Sequence, residues 1–433
     1  MKKHVLLCGS LTALLSALPS QADVPTWTEV ELQARSNLIV NDNGFNVPPG
    51  TSFNSITANL NDEAQVTFSA GVVPIDGDLA RSGAGLWIGG HGKGEFVAIH
   101  ESAGSDGSVI IADRPGINAH GDVAYYTSDD GGPYTLRRYD AVAGTSAALS
   151  VLPLTPTSFQ NPGITDTGLV GFKGRMGAGY GIGTTLGNSG SGVLYVVDTN
   201  VDAGSSYSYL YSPATDNTGR IAVKVSGSSY SHNEIRLFDG PSGSSRIVAN
   251  QTIDETSPFA DFDNGLGLND DGGIAVAVKL AEGNVRAVYR FAPGAAGIEA
   301  TEIARVDPAG MVRAIDSFAP AINDDGLVVF RGSDENGQAV FAGDGQTLVR
   351  VIGKGDVVAT DQGPGQLGQH DSSPTFSGAP TLNNHGDIAF VAGLHPEGNN
   401  QEEWGSGVFV VYAERPLDDD TIFRDGFDEA VVD

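Results

Sequence analysis

Four pairs of adjacent acids stand in short polar segments of this chain: Asp62-Glu63, Asp129-Asp130, Asp270-Asp271 and Asp324-Asp325. Carboxylates beside asparagine side chains and backbone carbonyls are the hard oxygen donors that calcium takes. Asp270, Asp271, Asp324 and Asp325 lie inside Asn-x-x-Gly segments and are the calcium candidates. Asp and Asn also favour tight turns for local hydrogen-bonding reasons, which accounts for the same residues without a metal. No Asp-x-Asp-x-Asp-Gly loop with a terminal glutamate occurs.

Other reactive groups are sparse. The histidines after residue 22 are His91, His100, His120, His232, His370, His385 and His395, and none forms His-x-x-x-His or His-Glu-x-x-His, so a zinc site has no local signature. His120 and His385 occupy one equivalent turn position and read as exposed turn residues. Ser191 lies in a glycine-rich stretch from Gly174 to Gly192 that matches Gly-x-Ser-x-Gly only loosely. A hydrolase elbow needs a strand-to-helix turn, and this stretch reads as a flexible loop, a long insertion between strands. A carboxylate pair for glycoside hydrolysis cannot be selected among 53 acids without geometry. No cofactor is implied beyond calcium, and the catalytic residues, if any, are unknown.

What must position these groups is an internal repeat. One eight-residue pattern returns seven times: Asn61–Phe68, Asn118–Tyr125, Thr165–Phe172, Asp216–Val223, Asn269–Val276, Asn323–Phe330 and Asn383–Phe390. Its fourth residue is glycine in every copy except the first, where Ala64 stands. Two residues later comes Val or Ile, then a small residue, then Phe, Tyr or Val. Pro115, Pro162, Pro213, Pro320 and Pro380 precede five of the copies. An Asn or Asp opening and a left-handed glycine close a tight turn. The apolar run after it is a strand covered on both faces, and its small residue lets a neighbouring sheet approach.

Two further strands recur in each unit. Downstream of the turn they are Gly85–Ile88, Leu136–Tyr139, Val193–Val196, Ile235–Phe238, Ala287–Arg290, Ala339–Phe341 and Val408–Val411. Upstream they are Glu29–Leu32, Phe96–Ile99, Ala148–Val151, Arg246–Ala249, Glu302–Arg305 and Leu348–Val351, with Tyr207–Tyr211 as a weaker seventh. With the strand entering the turn, each unit has about four short strands, and no long helix is legible. The reading is all-β: a β-propeller of seven blades, each of about four antiparallel strands. An open β-solenoid is the alternative. The N-terminal strand is expected to complete the last sheet and close the ring.

Length and composition agree. The chain has 433 residues, 40% hydrophobic, with a formal charge of −29. It is too apolar for disorder, and its 59 glycines lack a collagen period. The acidity argues against nucleic acid. Lys2, Lys3 and the apolar run Val5–Leu18, ending in Pro19 and Ala22, read as a signal peptide over residues 1–22. Cys8, the only cysteine, falls within it, so the exported chain would be disulfide-free. The propeller is expected over 23–415 and an acidic tail over 416–433, with no membrane span in the mature chain.

The repeat resembles the secreted bacterial "choice-of-anchor" proteins built on Asn-x-x-Gly-x-x-Ala-Phe. Asn383, Gly386, Ala389 and Phe390 fit strictly, and the other six copies are near matches. The resemblance spans roughly residues 26–412. It implies secretion and repeat architecture and carries no catalytic residue. The tail Ile422-Phe-Arg-Asp-Gly-Phe427 resembles a short ending of exported gammaproteobacterial proteins, and a disordered acidic tail is the other reading.

The functional expectation is a secreted or cell-surface repeat protein, placed outside the cell, on its surface or in the periplasm. Its role is expected to be non-catalytic binding, with a glycan or a surface protein as partner. The alternatives are a secreted carbohydrate-active hydrolase or lyase on the same scaffold, and a structural surface protein. Loop carboxylates converging on the axis would favour the enzyme, whereas an axis lined by small and neutral residues would favour binding or a scaffold.

Overall fold

A backbone that turns with an αL residue at its fourth position returns antiparallel to itself, and all seven repeat segments do so. Ala64, Gly121, Gly168, Gly219, Gly272, Gly326 and Gly386 have φ between 56° and 87°. In each, the fourth residue's N–H donates to the first residue's carbonyl, at 2.9–3.1 Å. In each, the first side chain also accepts the fifth residue's N–H, at 2.6–3.0 Å. The opening residue therefore needs only a short side-chain oxygen, and Asn, Asp and Thr all supply one.

The computed structural model describes residues 24–36, 44–53, 56–73, 82–102, 109–111, 114–129, 132–186, 191–369 and 374–414. The signal peptide and the acidic tail expected from the sequence lie outside them. The strands form seven separate antiparallel sheets, the blades of a propeller. Blade 1 holds Asn59–Leu60, Val66–Val72, Gly83–Gly90 and Lys93–Glu101. Blade 2 runs from Val109 to Ala148, blade 3 from Ser158 to Val197, blade 4 from Tyr209 to Ala249, blade 5 from Phe259 to Arg305 and blade 6 from Ala314 to Gly353.

Blade 7 joins both ends of the described chain. Phe376–Leu382, Ile388–Pro396 and Gly405–Ala413 are followed outward by the N-terminal strand Trp27–Arg35, in a register that sets Val30 against Val411 and Leu32 against Phe409. The ring closes as expected. Arg35 clamps the closure by donating from Nε and Nη2 to the two Asp361 carboxylate oxygens, both at 2.8 Å.

Apolar side chains fill the wedges between blades. The aromatic eighth residue of the repeat is buried at Phe68, Tyr125, Phe172, Phe330 and Phe390. Three of these rings stack on their cross-strand partners: Phe68 on Trp87 at 4.8 Å, Phe330 on Phe341 at 5.4 Å and Phe390 on Phe409 at 5.2 Å. Each buried ring contributes about 1.5–3 kcal/mol from area alone. The small seventh residue serves the adjacent blade: a Cβ on Gly171 would collide with the Thr215 side chain of blade 4.

Blade 3 corrects the sequence reading. The glycine-rich stretch is not a loop: Val170–Met176 and Gly179–Thr185 form its central hairpin. Val193–Val197 is the outer strand there, not the third. Glycine hid the strand because its job is steric, since a Cβ on Gly181 would lie 2.9 Å from Leu194. Tyr207–Tyr211 likewise supplies part of the inner edge of blade 4 rather than an outer strand. The outer strand of blade 2 is Thr145–Ala148, so the expected Ala148–Val151 was displaced along the chain.

Candidate functional site

The seven turns meet at one end of the propeller axis, and their second residues form a belt. The Ala119 N–H donates to Asp166 Oδ1 at 2.9 Å, and Asp166 N–H to Asn217 Oδ1 at 2.6 Å. Asn217 N–H donates to Asp270 Oδ1 at 2.7 Å, and Asp270 N–H to Asp324 Oδ1 at 2.8 Å. Asp324 N–H donates to Asn384 Oδ1 at 3.0 Å, and Asn384 N–H to Asp62 Oδ1 at 2.8 Å. Six of seven blade junctions are thus bridged through backbone amides. The belt is open between blades 1 and 2 because Ala119 has no oxygen to offer.

A second tier lies beneath the belt. Asn61 Nδ2 donates to the Asn118 carbonyl at 2.9 Å, Asn118 Nδ2 to that of Thr165 at 3.0 Å, Asn269 Nδ2 to that of Asn323 at 2.8 Å and Asn383 Nδ2 to that of Asn61 at 3.1 Å. Asparagine therefore does two jobs at the first position. Its oxygen closes its own turn and its amide reaches the next blade.

These contacts place the calcium candidates. Asp270 and Asp324 are joined within the belt: the Asp270 carboxylate accepts the Asn217 N–H, and the Asp324 carboxylate accepts the Asp270 N–H. Asp271 and Asp325, the third turn residues, are exposed. Among the described residues no group of three or more His, Cys, Asp or Glu side chains is arranged to hold a metal ion. Burial pushes the Asp270 carboxyl above the ordinary aspartate range, with Asp324, Asp216 and Asp166 adding to the rise and the Asn217 amide opposing it. His120 and His385 are exposed, as their shared turn position suggested.

Behind the belt the inner strands line a partly open axial cavity of about 220 Å³ to which all seven blades contribute. The residue before each turn makes an apolar collar of Leu60, Ile117, Ile164, Leu268, Ile322 and Leu382, interrupted by Thr215. The next layer is Asn59, Gly116, Gly163, Ala214, Gly267, Ala321 and Thr381. Glycine is required at two of these positions because the adjacent inner strands nearly touch there: a Cβ on Gly116 would sit 2.6 Å from the Pro162 carbonyl, and one on Gly267 2.6 Å from that of Pro320. The recurrent prolines thus present carbonyls to the neighbouring blade. Asn59, the one large residue of this layer, turns its amide to the Pro115 carbonyl at 2.5 Å.

One cation faces this space. Arg114 sits four residues before its turn, deeper along the axis than the collar, and its Nε donates to Asn59 Oδ1 at a long 3.4 Å. No carboxylate among the described residues pairs with it, and the half-buried residue lines the cavity. Enclosure by protein pushes its guanidinium below the ordinary arginine range. Sequence reasoning passed over it, although a signal existed. The equivalent positions of the other copies are Thr57, Asn161, Ser212, Gly265, Ala319 and Ala379, all neutral.

A different set of cations staples blades together. Lys173, Lys224 and Arg331 each stand five residues after the turn glycine. Lys224 Nζ donates to the Phe262 carbonyl at 2.5 Å and pairs with Asp261 at 3.2 Å. Arg331 donates to the Phe376 and Gly378 carbonyls at 3.0 and 2.7 Å and pairs with Asp316 at 2.6 Å. Lys173 instead lies over the Tyr180 and Tyr209 rings, 4.3 and 4.9 Å from their centroids. Burial pushes its amine down to about 8, with Asp198 opposing.

Residues 164–428 match a model described as a family of unknown function, DUF7453, and the chain belongs to that family. No curated protein matches the sequence. Among solved structures, the polysaccharide lyase Uly1 is similar at 9% identity with a TM-score of 0.46, over 88% of this chain and 95% of that one. The gluconolactonase XC5397 of Xanthomonas campestris is similar at 12% identity with a TM-score of 0.38, over 71% and 87%. The WD40 domain of SCAP from fission yeast is similar at 8% identity with a TM-score of 0.38, over 82% and 84%.

Proposed function

We propose that this DUF7453 chain is an exported binding propeller that captures a small ligand in its axial cavity and carries out no chemistry on it. The carrying observation is the lining of that cavity. Its layers are Leu and Ile with Thr215, then Gly and Ala with Thr381 and Asn59, with Asn161 and Arg114 as the polar side chains beyond them. Acid–base catalysis needs a titratable pair converging on one reacting bond. The carboxylates of the belt, Asp62, Asp166, Asp270 and Asp324, each commit one oxygen to a backbone amide of a neighbouring blade. A concave space with a few fixed polar groups that orient a ligand is the usual form of a small-molecule site, and this one is lined by all seven blades. Export rests on the basic, apolar and small-residue sequence of the first 22 residues.

The test is the melting temperature of residues 23–433 against calcium, a chelator, sugars and small organic acids, for the native chain and for Ala321→Phe, which fills the cavity. A ligand present at about 100 times its dissociation constant adds roughly 2.7 kcal/mol and raises the midpoint visibly. The expected result is a shift from an organic ligand in the native chain that disappears in Ala321→Phe. A shift that survives the filled axis would move the site to an outer surface.

A further inference from the structure

The axis is electrically asymmetric. At its belt end stand the carboxylates of Asp62, Asp166, Asp270 and Asp324. At the other side of the apolar collar stands Arg114, the one cation among the residues lining the cavity. The chain carries 53 acids against 24 lysines and arginines, so a carboxylate partner for a buried guanidinium is easily supplied. The buried cations Arg35, Lys224 and Arg331 have one at 2.8, 3.2 and 2.6 Å. Among the described residues Arg114 has no carboxylate partner and reaches the amide oxygen of Asn59 at 3.4 Å. A guanidinium that lines a cavity and has no carboxylate partner among the described residues is a ready site for an anion.

We propose that the axial cavity binds a small monocarboxylate, with the Arg114 guanidinium clasping the carboxylate and the Leu/Ile collar holding an apolar or ring-shaped body. The inference rests on the axial reading above and specifies its ligand class. A planar guanidinium matches a planar carboxylate through two parallel N–H···O bonds. One cation balances one negative charge, which favours a monocarboxylate over a phosphate dianion. The body of the ligand is fixed by what surrounds the charge: Ile164, Leu268 and Ile322 offer carbon surface, and Thr215 and Thr381 offer hydroxyls. The acidic belt repels an anion at its own end, so the ligand enters from the face opposite the turns.

The experiment titrates two matched pairs, benzoate with benzamide and glucuronate with glucose, plus inorganic phosphate, into residues 23–433 and into Arg114→Gln, Arg114→Lys and Ala321→Phe. Expected is binding of at least one acid about tenfold or more tighter than its neutral partner. Arg114→Gln should remove that preference, bringing acid affinity down to that of the neutral partner. Arg114→Lys should retain part of it, because charge remains but the bidentate fork is lost. The unliganded Arg114→Gln chain should melt at or above the native midpoint, which separates loss of the ligand clasp from loss of the fold. Equal affinity for acid and neutral partner, or acid binding that Arg114→Gln leaves intact, overturns the carboxylate assignment while Ala321→Phe still blocking binding keeps the axial reading. Binding that Ala321→Phe leaves intact overturns both. Tighter binding of phosphate than of either acid, or no binding of either acid to the native chain up to about 10 mM, overturns the carboxylate assignment.

Discussion

The backbone N–H of Asp270 in blade 5 donates to the carboxylate of Asp324 in blade 6 at 2.8 Å. The same contact recurs at five other blade junctions, with Asp or Asn supplying the oxygen. The oxygen, not the charge, is the shared feature.

That distinction separates two substitutions of one residue. Asp270→Asn keeps the oxygen that Asn217 N–H reaches at 2.7 Å and should match or exceed native stability at neutral pH. Asp270→Ala removes the oxygen and should cost about 1–2 kcal/mol in urea unfolding. Because the folded-state carboxyl titrates above its ordinary value, the folded chain binds the proton more readily than the unfolded one just above the aspartate range. Stability from this group therefore falls as pH rises through that window, and Asp270→Asn should remove that component.

The missing seventh link offers a gain. Ala119 leaves the junction between blades 1 and 2 without its bridging oxygen. Ala119→Asn places one opposite the Asp62 N–H and should stabilise the chain by about 0.5–1.5 kcal/mol in the same unfolding measurement.

Close approach around the axis predicts a steep loss. At Gly267 an added Cβ would sit 2.6 Å from the Pro320 carbonyl, and a backbone neighbour cannot swing aside. Gly267→Ala should destabilise by about 2 kcal/mol or more. Gly144, whose Cβ would meet nothing within 4 Å, provides the contrast: Gly144→Ala should show only the strain of its positive φ, about 1 kcal/mol.

Ring closure depends on the first strand. Leu32 is buried in the core of blade 7 opposite Phe409. Leu32→Ala should cost about 2–5 kcal/mol. Hydrogen exchange should show the loss of protection spreading along Gly405–Ala413, its hydrogen-bonded neighbour.

Lys173 carries a second pH signature of opposite sense. Its amine titrates near 8 in the folded chain against 10.5 ordinarily. Between those values the unfolded chain holds a proton that the folded chain has released, so stability should rise with pH from about 8 to 10.5. Lys173→Met should be more stable than the native chain at pH 7, and its stability should lose that rise.

The propeller was legible because one physical demand repeats seven times. The opening Asn, Asp or Thr and the left-handed fourth residue close each turn, and the small and aromatic residues behind them fix strand and face. Ala64 shows the limit of residue identity, since it adopts φ 56° without being glycine and the turn still forms. Gly179–Thr185 was missed because a strand rich in glycine carries no apolar alternation, and its shape is dictated by neighbours such as Leu194. The acids of the turns drew attention by their charge, yet Asp270 and Asp324 engage the next blade through backbone amides. Arg114 carried no motif. Its meaning comes from six neutral residues at the equivalent positions and from an axis that only the closed ring creates.

The most direct test of the central claim is a crystal structure of residues 23–433 soaked with 4-bromobenzoate, read from the anomalous bromine signal. The predicted result is a bromine peak inside the axial cavity between Ile164, Leu268 and Ile322, with the carboxylate against Arg114. A peak on a blade edge or outer surface with the axis empty would contradict it, as would the absence of any axial peak at saturating soak.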